Sequence, residues 1–67
     1  MMDERRMFTV EFLEMADPNF VHYSEDRVEI LTNKGFVAYS LGPVDHRFAD
    51  RGWPPVRFGK RIHAQQS

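Results

Sequence analysis

Two strand-forming runs, Arg27-Val-Glu-Ile-Leu31 and Phe36-Val-Ala-Tyr-Ser-Leu41, flank the tetrapeptide Thr32-Asn33-Lys34-Gly35. Asn favours turns and Gly accepts a positive φ, so the spacing predicts a β-hairpin with Gly35 in the left-handed region. Gly42-Pro43 then ends the second strand, because proline cannot donate to a ladder. A lone hairpin is unstable in water. The rest of the chain must therefore add strands or a helix to cover it.

Size narrows the choice. A chain of 67 residues makes one domain and buries only about 60% of the surface its unfolded form exposes. Such domains commonly lean on disulfides, metals or association. There is no cysteine, which excludes disulfides and thiolate zinc sites. The missing cysteines favour a reducing compartment. The charged start Met1-Met-Asp-Glu-Arg-Arg6 leads into no apolar h-region, and the longest clean apolar run is Phe36-Val-Ala-Tyr39. A soluble cytoplasmic protein with no membrane contact is expected.

Outside the hairpin, Phe8-Thr-Val-Glu-Phe12 alternates with period two, which predicts a strand burying Phe8, Val10 and Phe12. The same segment suits a helix capped by Asp3, with Phe8, Phe12 and Met15 on one face. A strand is preferred, because the hairpin needs a third. Asp17-Pro18-Asn19 makes a turn, Phe20-Val-His-Tyr23 a short edge strand, and Ser24-Glu-Asp26 the next turn. Asp45–Asp50 reads as one helical turn capped by Asp45 and stopped by Gly52. Residues 64–67 read as frayed.

The expected fold is mainly β: a small antiparallel sheet of three to five strands, meander or barrel-like, with at most one short helix. The alternative is α+β, an N-terminal helix packed on the hairpin. Residues 1–50 form the body. Residues 51–67 form an extended basic and aromatic segment of the same domain.

Catalytic chemistry is poorly served. Ser24, Ser40 and Ser67 lie in no nucleophile motif, and no P-loop, dinucleotide fingerprint or zinc-protease motif occurs. His22, His46 and His63 are scattered, so Asp45, His46 and Asp50 read as capping and solvated groups rather than metal ligands. Glu11 and Glu29 belong on solvent faces of their strands, not across a cleft. No enzyme activity, metal or cofactor is expected.

Charge is unevenly spread. Residues 1–33 hold eight acids and three arginines, and residues 34–67 hold six cations and two acids. That asymmetry marks either an interaction surface or a basic segment lying across an acidic sheet. The segment Arg51-Gly-Trp-Pro-Pro-Val-Arg-Phe-Gly-Lys-Arg-Ile-His63 carries the only tryptophan. Trp and Arg are enriched at binding hot spots, yet so small a domain also needs Trp53 and Phe58 in its core. Extended alternation places Arg57 and Arg61 on one side, Phe58 and Lys60 on the other.

The expected function is a non-enzymatic protein-binding module: a small regulator, inhibitor or accessory subunit. Its expected contacts are Arg51, Trp53, Arg57, Phe58, Lys60 and Arg61. Association with a second copy is a companion expectation, since open sheet edges can pair. The alternative is nucleic-acid binding through the same segment, with Tyr23, Phe36 or Tyr39 as stacking platforms.

Overall fold

A computed structural model describes residues 5–62. Strand β1 (Arg5–Thr9) runs into the six-residue helix α1 (Val10–Met15). Three meandering strands follow: β2 (Val21–Ser24), β3 (Arg27–Thr32) and β4 (Gly35–Leu41). A connection with one 3-10 turn (Ala49–Arg51) leads to β5 (Val56–Ile62). The five strands form one antiparallel sheet in the order β1-β5-β4-β3-β2. The expected small antiparallel sheet with at most one short helix is thus the fold observed. The sheet is open, with β1 and β2 as its edges. No helix among the described residues is long and apolar enough to cross a membrane.

The first segment contains both elements that its sequence suits. The strand ends at Thr9 instead of reaching Phe12. There Thr9 adopts φ −73° and ψ 145°, and its Oγ1 accepts the Phe12 amide at 3.0 Å. A threonine in this role satisfies an amide that the helix leaves without an intrahelical partner. Of the triplet expected to be buried, only Phe8 enters the core; the helix presents Leu13 to it while Phe12 stays 45% exposed. Glu11 therefore lies on a helix, not a strand. Asp3, the expected cap, falls outside the described residues.

Asp17 closes the turn that follows. Its carbonyl accepts the Phe20 and Val21 amides, and its carboxylate accepts the Asn19 amide. In the central hairpin, Thr32 Oγ1 accepts the Lys34 amide at 3.1 Å and donates to the Gly35 carbonyl at 2.7 Å. Gly35 has φ 102°, a conformation that a Cβ would strain.

The helical turn expected at Asp45 begins later, at Ala49, and stops at Gly52 with φ 78°. Asp45 cannot open it, because its amide and carbonyl both pair with Val56. Its carboxylate caps the Arg47 amide instead, at 2.8 Å.

Side chains alternate across a strand, so the register assigns each to a face. Phe8, Val21, Val28 and Tyr39 share the inner face and cluster with Leu13. Helix α1 lies on the inner face and touches both edge strands, β1 and β2. At the centre, Gly59 sits beneath the Phe8 ring, which meets Tyr39 edge-on at 5.3 Å. A Cβ on Gly59 would stand 2.8 Å from Phe8 Cε2 and 3.1 Å from Tyr39 Cβ. Gly59→Ala is therefore expected to destabilise the fold by about 1–3 kcal/mol through overpacking. Urea unfolding measures this; an unchanged midpoint would show that the Phe8–Tyr39 contact does not need the glycine.

Candidate interaction surface

β5 is flanked by β1 and β4, so the basic segment is an interior strand of the sheet. Its alternation sends Arg57, Gly59 and Arg61 to the inner face, and Val56, Phe58, Lys60 and Ile62 to the outer face. The six residues singled out from the sequence therefore do not form one surface. Phe58 and Lys60 share the outer face. Arg51 and Trp53 lie on the connection before β5, and Arg57 and Arg61 point inward.

Arg57 is 8% exposed. Its Nε donates to the Gly42 carbonyl at 2.6 Å, Nη2 to the Glu25 carbonyl at 2.7 Å and Nη1 to the Tyr23 hydroxyl at 3.1 Å. The guanidinium also lies 6.0 Å from the Tyr23 ring centre. All of these partners are neutral. One planar fork thus ties β5 to the end of β4 and to the β2–β3 turn, and is not exposed for a partner to grip.

Trp53 is 48% exposed, its ring 5.4 Å from Phe48. It packs against Phe48 rather than plugging the core. Arg47 links this pair to the sheet: its guanidinium stands 5.8 Å from the Phe48 ring and 5.9 Å from Phe58. Asp45 holds Arg47 through a 2.9 Å ion pair.

The outer face is the less covered one. Met7 lies opposite Phe58, Ile62 opposite Ala38, and Phe36 opposite Leu31. Met7, Phe58, Ile62, Phe36 and Leu31 are exposed to between 37% and 47%. Single exposed apolar side chains are ordinary; five on one sheet face are not. A polar row crosses the same face: Arg5 pairs with Lys60, Lys60 with Ser40, and Ser40 with Arg27. Arg5, Ser40, Phe58 and Lys60 line an open groove of about 300 Å³ there. Phe58 is thus an apolar wall with cations on two sides.

Glu29 is the strand acid on this face, and Asp45, paired with Val56, lies on the same side, on the connection. Arg27 Nη2 donates to Glu29 at 2.9 Å, and His22 Nδ1 lies 3.3 Å from its other oxygen. His22 also stacks on Phe36, at 4.7 Å between ring centres. Most other described acids stand elsewhere: Glu11 and Glu14 on the helix, Asp17, Glu25 and Asp26 in turns. The strands divide their cations between the faces, Arg5, Arg27 and Lys60 outside with Glu29, and Arg6, Arg57 and Arg61 inside. Among the described residues no group of three His, Asp or Glu side chains forms a metal site. His63 lies outside them.

Sequence reasoning missed Arg5, Met7, Arg27 and Ser40 as members of this surface. Their neighbours come from three strand pairings, and β1 meets β5 across nearly the whole chain.

Two expectations follow. Arg57→Met leaves the partly buried carbonyl bonds to Gly42 and Glu25 without their donor and is expected to lower stability by about 1–3 kcal/mol, with Arg57→Lys losing less. Denaturant titration decides; wild-type stability in Arg57→Met would remove the clamp from the account. For Glu29, the hydrogen bond from His22, then that from Arg27, holds the carboxyl below the usual glutamate range. A lowered pKa means that the interaction is present at higher pH and lost as pH falls through the folded midpoint. Carbon-detected NMR should find that midpoint lowered in the wild type and raised in His22→Ala; identical midpoints would contradict the assignment. Neither a family model, a curated protein nor a solved structure matches the chain, and the functional reading rests on this geometry.

Proposed function

We propose that the protein is a non-enzymatic protein-binding module whose contact surface is the outer face of the sheet. Its partner presents apolar side chains flanked by carboxylates. The observation that carries this reading is Met7, Phe58, Ile62, Phe36 and Leu31 exposed on one face, crossed by Arg5, Lys60 and Arg27. Apolar anchors ringed by polar groups are the usual anatomy of a protein contact. The cations select an acidic partner and speed its approach. A second copy stacked face to face would set one cationic row against another, which favours a different protein. A regulator, inhibitor or accessory subunit working in the cytoplasm fits a small, cysteine-free chain of this kind.

Binding of single-stranded nucleic acid is the competing use of Phe58 and its cations, since aromatics on open sheets stack on bases. Met7, Ile62 and Leu31 argue against it. Aliphatic side chains contribute little to stacking but much to a protein contact.

The test is retention of partners from native lysate by the immobilised full-length protein, with and without nuclease, read by mass spectrometry. A protein retained after nuclease at moderate salt, and reduced about tenfold by Phe58→Ala or Lys60→Glu, is the expected result. Loss of all material after nuclease, with a steep salt dependence, would transfer the function to nucleic acid. Equal retention by wild type and both variants would move the contact off this face.

A further inference from the structure

The edge of β1 carries a second kind of site. Two hydrogen bonds fix which way its backbone points. Val10 N donates to the Pro55 carbonyl, and Gly42 N donates to the Phe58 carbonyl. Antiparallel ladders alternate, so Arg6 and Phe8 turn their amides and carbonyls toward Gly59 and Arg57. Arg5 and Met7 turn theirs away from the sheet, as does the Thr9 amide, while the Thr9 carbonyl belongs to the helix that Thr9 caps. Among the described residues, β1 has β5 as its one strand neighbour. It contains no proline and no bulge in its register, two of the devices that blunt an edge.

A groove runs along this edge. Its volume is about 320 Å³, within the range of ligand sites, and it is lined by Arg6, Met7, Phe8, Thr9, Phe12 and Ile30. Four of those six are consecutive residues of β1, so the strand's backbone forms one wall. The helix forms the other, since it leaves the strand at Thr9 and carries Phe12 beside it. Phe12 stacks on Phe8 at 6.4 Å and keeps its outward side open. Arg6 is the one ionisable side chain lining the groove. Its contact with the Tyr39 hydroxyl is long, 3.4 Å, which leaves the guanidinium able to take an acid.

We propose that β1 accepts an extended peptide segment as a sixth strand, with an apolar side chain in the Phe8–Phe12–Ile30 groove and an acidic one, two residues away, against Arg6. The two-residue spacing follows from the lining itself, because Phe8 and Arg6 are neighbours on the inner face and an added strand keeps that period. Main-chain pairing with Met7 and with the Thr9 amide supplies attraction without regard to sequence, and the groove and Arg6 supply selectivity. The other edge is less suited. β2 is shorter, and the Val21 amide is already held by the Asp17 carbonyl.

This site is separate from the outer face. A peptide on the β1 edge touches neither Phe58 nor Lys60, so either proposal can fail alone. The test uses the full-length protein, nitrogen-15 labelled, and the capped peptide Ac-Thr-Val-Thr-Glu-Thr-NH2. Binding is expected to shift the amides of Met7, Thr9, Phe12 and Ile30 saturably and to slow exchange at Met7 and Thr9. N-methylation of one alternate set of peptide amides should weaken binding about tenfold while the other set is tolerated. Arg6→Glu should reject the parent peptide and accept its Glu-to-Lys counterpart. Equal binding of both N-methylated peptides, indifference to the charge swap, or shifts centred on Phe58 and Ile62 would overturn the proposal.

Discussion

Everything on the outer face depends on how β5 is held in the sheet, and Arg57 is the residue that anchors it there. β4 ends at Leu41 and the chain meets β5 again at Asp45, which pairs with Val56, so the pairing is interrupted opposite Arg57. Arg57 reaches into the opening and donates to the carbonyls of Gly42 and Glu25. A cation among neutral acceptors is costly to desolvate, and its fork geometry compensates by satisfying several groups at once. The consequence is mechanical. The last strand is fixed to the β2–β3 turn, and the alternate residues Phe58 and Lys60 are fixed outward.

The division of labour along β5 therefore runs by parity. Inward positions hold the fold: Arg57 as a clamp, Gly59 as the space into which the Phe8 ring descends. The outward Phe58, Lys60 and Ile62 form the proposed contact, while Val56, also outward, is buried, and the three gain neighbours from β1, β4 and β3 that lie far away in sequence. Helix α1 serves the inner face alone. It is too short to cover the whole sheet, and the groove beside Phe12 is what it leaves open along β1.

Much of this was legible in the sequence, for reasons that can be stated. The central hairpin is a local object, set by Asn33, Gly35 and two alternating runs, and it folds as read. The alternation of Arg57, Phe58, Lys60 and Arg61 was also readable. Which side faces inward was not, because that depends on where β4 ends and on the carbonyls that this exposes. The first segment held two overlapping patterns, and Thr9 divides them: strand before it, helix after it. Trp53 looked suited to a core, yet the connection places it against Phe48 at the surface. The pairing of Arg5 and Met7 with β5 left no local mark, since nothing near residue 7 indicates that residue 58 will lie opposite.

Oxidative footprinting can compare the free full-length protein with the complex it forms with its retained partner. Met7, Phe58 and Ile62 are expected to react readily in the free protein and to be protected together in the complex. Val28, on the inner face, should stay unreactive in both. If Met7 and Phe58 are inert in the free protein, or react equally in the complex, the outer sheet face is not the binding surface.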